Sequence, residues 1–220
     1  MDRMEAMGKM YDMIRIDHFI GFANYYSIPY GAPNARSGKW IVGPGKKFFW
    51  ALKRRLPELN VIAENLGVIN ERVQKLLKFV GYPGMKVLVF AFGGSDAEVE
   101  MPAKYPANCV AYTGTHDNST VLGFLRESDD KVREQCKRLM GFRKLEDGPW
   151  AFVRSVIASS ADTAIVPMQD VLGLDNSARM NLPGTIGGNW LWRMEPDAIN
   201  EALVAKLDAI NTACNRRNAT

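Results

Sequence analysis

Short apolar runs alternate along the chain with stretches whose apolar residues recur every three or four positions. The runs Met13–Ile16 (MIRI), 61–63 (VIA), 85–92 (MKVLVFAF), Cys109–Tyr112 (CVAY) and 164–168 (AIVPM) are brief, rich in β-branched residues and bounded by turn formers. That pattern predicts buried strands. Pro167 weakens the last of them, because proline cannot donate to a sheet ladder. The intervening stretches predict helices. Residues 44–56 open with Pro44 and carry Phe48, Phe49 and Leu52 on one side. Residues 70–80 place Val73, Leu76, Leu77 and Val80 on one face, with Asn70 as N-cap and Gly81 and Pro83 as stop signals. Residues 149–160 gather Trp150, Val153 and Ile157, and residues 196–213 open with Pro196 and present Ile199, Leu203, Leu207 and Ile210. Met4, Met7 and Tyr11 suggest a helix feeding the first strand; methionines at that spacing read as core packing. Strand followed by helix, repeated, predicts an α/β fold with a parallel sheet and helices outside it. An open doubly wound sheet and a (β/α) barrel both satisfy the pattern. Neither GxGxxG nor GxxxxGK[ST] follows any strand, so nucleotide-binding versions lose support.

Composition narrows the class without changing this picture. The 220 residues are 47% hydrophobic and 24% charged, within the range of ordinary globular domains. Taken alone, that length fits a single domain over residues 1–220. The three cysteines, Cys109, Cys136 and Cys214, are odd in number and far apart, which predicts reduced thiols and a cytoplasmic setting. No apolar run approaches the ~18 residues of a membrane helix. The charged opening, MDRMEAMGKM, does not read as a secretory signal. A net charge of +4 with both signs interspersed predicts neither a nucleic-acid nor a membrane partner.

Candidate chemistry stands where the strands end. Asp17 leaves the first strand in RIDHF, Glu64 leaves the second in VIAEN, and Asp117 follows a third in TGTHD; Asp170 stands just past the last. In parallel α/β folds that edge carries the active site. Carboxylates on one rim suit either glycosidic bond cleavage or divalent metal binding. The first needs one ionised carboxylate and one that holds a proton. Arg15 lies two residues before Asp17 and so points to the same face of a strand, where its guanidinium would keep Asp17 ionised and aimed. Glu64 is preceded only by Val61, Ile62 and Ala63, an apolar approach that favours the neutral acid. The competing reading of Arg15 and Asp17 is a structural ion pair. For metal, the histidine set is thin: His18 and His116 each adjoin an aspartate, and neither HxH nor HExxH occurs. The two imidazoles fit contacts to sugar hydroxyls better, beside a purely structural alternative for each.

The motifs as a set resemble glycoside hydrolase family 77, the 4-α-glucanotransferases. The stretches are RIDHFIGF (15–22), GKWIVGPG (38–45), VIAENLGVI (61–69), GYPGMKVL (81–88), YTGTHDNST (112–120) and RMNLPGTIGGNWLWR (179–193), in the family's order across nearly the whole chain. The resemblance implies a TIM-type (β/α) barrel and a retaining transfer of α-1,4-glucan segments with no cofactor and no metal. It implies that Asp17 is the nucleophile, Glu64 the general acid/base and Asp117 the third carboxylate. It implies that Arg15, His116, Arg179 and Asn181 bind substrate. The partners implied are an α-1,4-glucan or maltooligosaccharide donor and a glucose or maltooligosaccharide acceptor. Ile20, Asn65, Ser119 and Phe124 depart from the family's usual arginine, aspartate, aspartate and tryptophan. Tyr25, Tyr26 and Trp40 follow the nucleophile strand and read either as stacking platforms for glucose rings or as core aromatics.

Set against the family's order, the length takes a different meaning. The first strand matches the family's fourth, so the chain reads as the C-terminal part of a (β/α)8 barrel, covering roughly the fourth to eighth strands, with the N-terminal strands missing. A full barrel usually takes ~250 residues. Open sheet edges predict self-association. A second class of function follows from the same feature: a barrel remnant that binds α-glucan or a partner subunit without catalysis.

Overall fold

The computed structural model describes residues 1–67, 69–95 and 100–216; Val68 of the VIAENLGVI stretch lies outside the described residues. The protein is α/β and divides into two compact units, Met1–Met85 and Lys86–Thr220. Among the described residues no helix is long and apolar enough to cross a membrane.

In the first unit, α1 (Asp2–Gly8) leads into β1 (Met13–Ile16), which pairs in parallel with β4 (Asn60–Ala63) in the register Ile14 to Val61 and Ile16 to Ala63. Between them in sequence lie an antiparallel hairpin, β2 (Asn24–Ser27) and β3 (Lys39–Val42), and helix α2 (Gly45–Arg55). Helix α3 (Glu71–Val80) follows β4 and has the termini expected from sequence. The Asn70 side chain accepts from the Val73 N–H at 3.0 Å, and Gly81 closes the helix at φ 71°, a left-handed turn glycine adopts without strain. The core joins sheet and helices through Ile16, Phe19, Phe49, Leu52, Val61, Ala63, Val73, Leu76 and Val80. Phe19 and Phe49 are fully buried with ring centroids 5.2 Å apart. Truncating Phe49 to alanine is expected to cost about 3–5 kcal/mol, because the rings around it cannot close the void. A thermal or denaturant melt of Phe49→Ala beside the parent chain checks this. Polar ties finish the unit: Arg55 meets Asp2 and Glu5 of α1 at 2.9 and 2.8 Å, and the Lys53 ammonium donates to the Val80 carbonyl at 2.8 Å.

The second unit is built on β6 (Cys109–Tyr112) and β7 (Thr163–Ile165), parallel and in the register Val110 to Thr163, in a sheet of order β5-β6-β7 with β5 (Gly84–Val87) at the division. Helix α6 (Gly148–Ile157) is its centre: Phe152, Val153 and Val156 are fully buried. Val153 and Ile157 pack with Val171 of α7 (Met168–Val171), and Leu203, Leu207 and Ile210 of α8 (Glu201–Ala213) cover them. Helices α4 (Val121–Glu127) and α5 (Asp130–Met140) complete the unit.

Three of the expected elements take other bounds than the sequence reading gives. The 85–92 run is a strand only to Val87; Leu88–Ala91 form a 3-10 turn whose Leu88 and Val89 are still buried. Burial accounts for the apolar run, and burial does not select strand over turn. Strand β7 stops at Ile165, before Pro167, whose missing N–H ends the ladder. The last helix starts at Glu201 rather than Pro196, because the extended Asn200 caps it by accepting from the Leu203 N–H at 3.0 Å.

Candidate active site

Parallel pairing of β1 and β4 brings the first acids together. Beyond the last paired residues the ladder runs on through two backbone bonds, Glu64 N–H to Ile16 C=O and Phe19 N–H to Glu64 C=O, both 2.9 Å. Asp17 and Glu64 therefore leave adjacent strands at one level. His18 follows in the left-handed region at φ 46°, uncommon for a side chain other than glycine. That turn aims its N–H at the Glu64 carboxyl, 2.8 Å away, and the Leu66 N–H donates to the other oxygen at 2.7 Å. The strand before Glu64 is buried as expected, yet its carboxyl sits among backbone donors rather than in an apolar pocket. The bonds hold it in one orientation.

Arg15 and Asp17 do share a face. The guanidinium donates to Asp17 Oδ1 at 2.9 Å, while the Asp17 side chain stays 77% exposed and Arg15 30% exposed. The carboxylate is thus steered by one bond and open to solvent elsewhere. The hairpin aromatics that follow are not core: Tyr25, Tyr26 and Trp40 are 43%, 40% and 66% exposed. Tyr26 and Trp40 meet edge to face at 5.4 Å, and the Tyr26 hydroxyl donates to the Ala35 carbonyl at 2.9 Å.

In the second unit the loop between β6 and α4 carries His116 and Asp117. Asp117 Oδ1 accepts from Asn181 Nδ2 at 2.6 Å, and His116 Nε2 lies 3.4 Å from Asp117 Oδ2. The segment after α7 grips the same loop. Arg179 donates Nη2 to the Asp117 carbonyl at 2.7 Å, Nη1 to Ser119 Oγ at 3.1 Å and Nε to the Asn181 carbonyl at 2.9 Å. The Asn181 N–H donates to the His116 carbonyl at 3.1 Å. With its guanidinium given to protein acceptors, Arg179 orders the loop. Ser119 and Asn176 in turn bond to Glu127 at 2.9 and 2.6 Å. Trp190, at φ 64°, lays its ring 5.2 Å from that of His116. Asn181→Ala would leave Asp117 Oδ1 without its amide donor, and it is expected to lower turnover roughly 10-fold while leaving the melting temperature nearly unchanged. Steady-state kinetics beside a thermal melt checks it.

Asp170, read from sequence as a fourth acid at the strand edge, lies beside the end of β6 but is buried rather than open on the rim. It is 1% exposed, on α7, and accepts from the Thr113 hydroxyl at 2.6 Å and the Val121 N–H at 2.7 Å. Burial pushes its carboxyl above the usual range, against the pull of those two bonds.

The structure thus gathers Arg15, Asp17 and Glu64 in the first unit and His116, Asp117, Arg179 and Asn181 in the second. Sequence reasoning missed Ser119, Glu127 and Asn176 as the support behind Arg179; three polar residues so far apart carry no local signal. Two larger clefts, about 420 Å³ beside Lys46, Arg72 and Lys75 and about 570 Å³ beside Tyr11, Arg55 and Leu59, contain none of the three candidate acids. Among the described residues no group of three histidine, cysteine or acidic side chains could hold a metal ion.

Comparison with known proteins points to one family. A family model described as 4-α-glucanotransferase matches residues 1–199. The chain is 46% identical to a 4-α-glucanotransferase of Streptococcus pneumoniae over 218 residues, 99% of this chain and 43% of the relative. It is 43% identical to that of Clostridium butyricum over 209 residues, 94% of this chain and 42% of the relative. The solved amylomaltase of Streptococcus agalactiae, in complex with acarbose, superposes with a TM-score of 0.91 at 38% identity, covering 98% of this chain and 44% of that one. The chain therefore spans less than half the length of the relatives it matches. With the family model matched over most of its length, the chain belongs to the 4-α-glucanotransferase family, glycoside hydrolase family 77.

Proposed function

We propose that this chain carries the catalytic residues of a 4-α-glucanotransferase, on a partial (β/α) barrel corresponding to about the fourth to eighth strands. The observation that carries the reading is the Asp17 and Glu64 pair at the ends of two parallel strands, one steered by Arg15 and the other held by two backbone N–H groups. Asp17 attacks the anomeric carbon of an α-1,4-linked glucose. Glu64 gives its proton to the departing 4-oxygen, whose bond electrons leave with it, and a β-glucosyl ester on Asp17 results. Glu64, now a carboxylate, takes the proton of an acceptor 4-hydroxyl. That oxygen displaces Asp17, restoring the α configuration and both carboxyl groups. Asp117, oriented by Asn181, holds sugar hydroxyls as charge develops. The exposed Tyr25, Tyr26 and Trp40 are sugar-stacking surfaces. The donor is an α-1,4-glucan or maltooligosaccharide and the acceptor glucose or a maltooligosaccharide; the acarbose bound by the streptococcal neighbour supports that class. The three free cysteines support a cytoplasmic setting.

The test is capture of the ester. Incubation with a 5-fluoro-α-glucosyl fluoride, whose ring fluorine slows the second step, followed by peptide mass spectrometry, is expected to place one 5-fluoroglucosyl unit on the peptide holding Asp17. A label on Glu64, or none, contradicts the assignment.

A second reading has its own observation. Tyr11 and Met13, the latter within β1, are exposed, and β1 pairs only with β4 among the described residues. Self-association through that edge is the expected consequence, read as a dimer or larger species by light scattering after size-exclusion chromatography. A glucan-binding protein without turnover would show the same edge, and product analysis separates the two.

A further inference from the structure

We infer that Asp170 is a positioning residue whose one carboxylate clamps both ends of the loop that bears His116 and Asp117. The inference rests on the reading of Asp117 as a carboxylate of the reaction.

Thr113 follows directly after β6 and is fully buried; its hydroxyl donates to Asp170 Oδ2 at 2.6 Å. Val121 opens α4 and is fully buried; its N–H donates to Asp170 Oδ1 at 2.7 Å. The two donors flank residues 114–120, so the separation of one carboxylate's oxygens sets the distance between the loop's ends. Asp170 arrives from a different segment, after β7, and is itself 1% exposed. A cavity of about 130 Å³ lies against the loop, lined by Thr115, His116, Asn118, Gln169 and Asp170 among others. Inside the loop the bonds are local, with Asn118 Oδ1 accepting from the Thr115 N–H and hydroxyl at 2.8 and 2.9 Å. They shape the turn without fixing where it stands. Both donors to Asp170 are neutral, and each takes a different oxygen of its buried carboxyl group. A charged acceptor binds two donors at once more strongly than an amide, which offers one acceptor oxygen.

The test uses the whole chain and needs no turnover. Amide hydrogen exchange is followed by NMR in the parent, Asp170→Asn, Asp170→Ala and Thr113→Val. The amides of Thr115, Asp117 and Asn118 are expected to exchange about 10-fold faster in Thr113→Val and Asp170→Ala, and by less in Asp170→Asn, while α6 stays protected. If Asp170→Ala does not fold, Thr113→Val, which removes a single anchor, decides. Loop exchange unchanged from the parent, or raised equally in α6, overturns the inference. Where maltotriose is turned over, Asp170→Asn should lower kcat with KM unchanged and a melting temperature near the parent's. A loss of kcat that merely follows the melting temperature overturns it as well. Asp117→Asn is run beside these. If that variant keeps full kcat, the reading of Asp117 fails, and the exchange data still judge the clamp separately.

Discussion

Asp17→Asn is expected to abolish glucan transfer, by about 10⁴-fold or more, while leaving the fold in place. The amide has the size of the carboxylate but cannot form the ester, so both half-reactions stop. Little else depends on this side chain. Its ion pair with Arg15 joins a largely exposed carboxylate to a guanidinium, an arrangement worth at most about 1 kcal/mol. Activity and stability should therefore separate: transfer lost, melting temperature within a few degrees. The measurement is turnover of maltotriose at high protein concentration, with a thermal melt of the same sample. A parallel loss of both would mean that Asp17 is structural, the ion-pair alternative raised by its sequence position.

Glu64→Gln is expected to lower transfer by about 10²–10⁴-fold, the range for removing a general acid/base. It should also lower stability measurably, unlike Asp17→Asn. Two backbone N–H groups converge on Glu64, from His18 and Leu66, and a carboxamide has one acceptor oxygen to give them. The other N–H then faces an NH₂ group, costing about 1–3 kcal/mol. The leaving group distinguishes the two acids. With α-glucosyl fluoride as donor, fluoride departs without needing a proton, so Glu64→Gln should still release it in the first step while Asp17→Asn does not. Equal loss of fluoride release in both variants would contradict the division of roles.

The parts of the fold legible in the sequence are those where burial and chain punctuation agree. Strands β1, β4 and β6 are mostly apolar, largely buried runs ended by turn residues, and α3 announces itself by Asn70 in front and Gly81 behind. The hairpin β2–β3 was not legible, because its exposed residues include Tyr25, Tyr26, Trp40 and Val42, which leaves no inward and outward alternation to read. Helix α5 was hidden by its charges, although Val132, Cys136 and Met140 recur every four residues between the cap Asp129 and the stop Gly141. At the site, the Arg15 and Asp17 pairing followed from the two-residue repeat of a strand. The surroundings of Glu64 did not, since they depend on the backbone of His18 turning back from a neighbouring strand. Asp170 was misplaced for a related reason: an acid just past a strand reads as a rim residue until the helix that turns it inward is known.

Incubation of the chain with maltotriose tests whether these residues carry transfer rather than hydrolysis or binding alone. The prediction is release of glucose together with maltodextrins longer than maltotriose, both absent with Asp17→Asn. Maltose and glucose without longer products, or no product at high protein concentration, would contradict it.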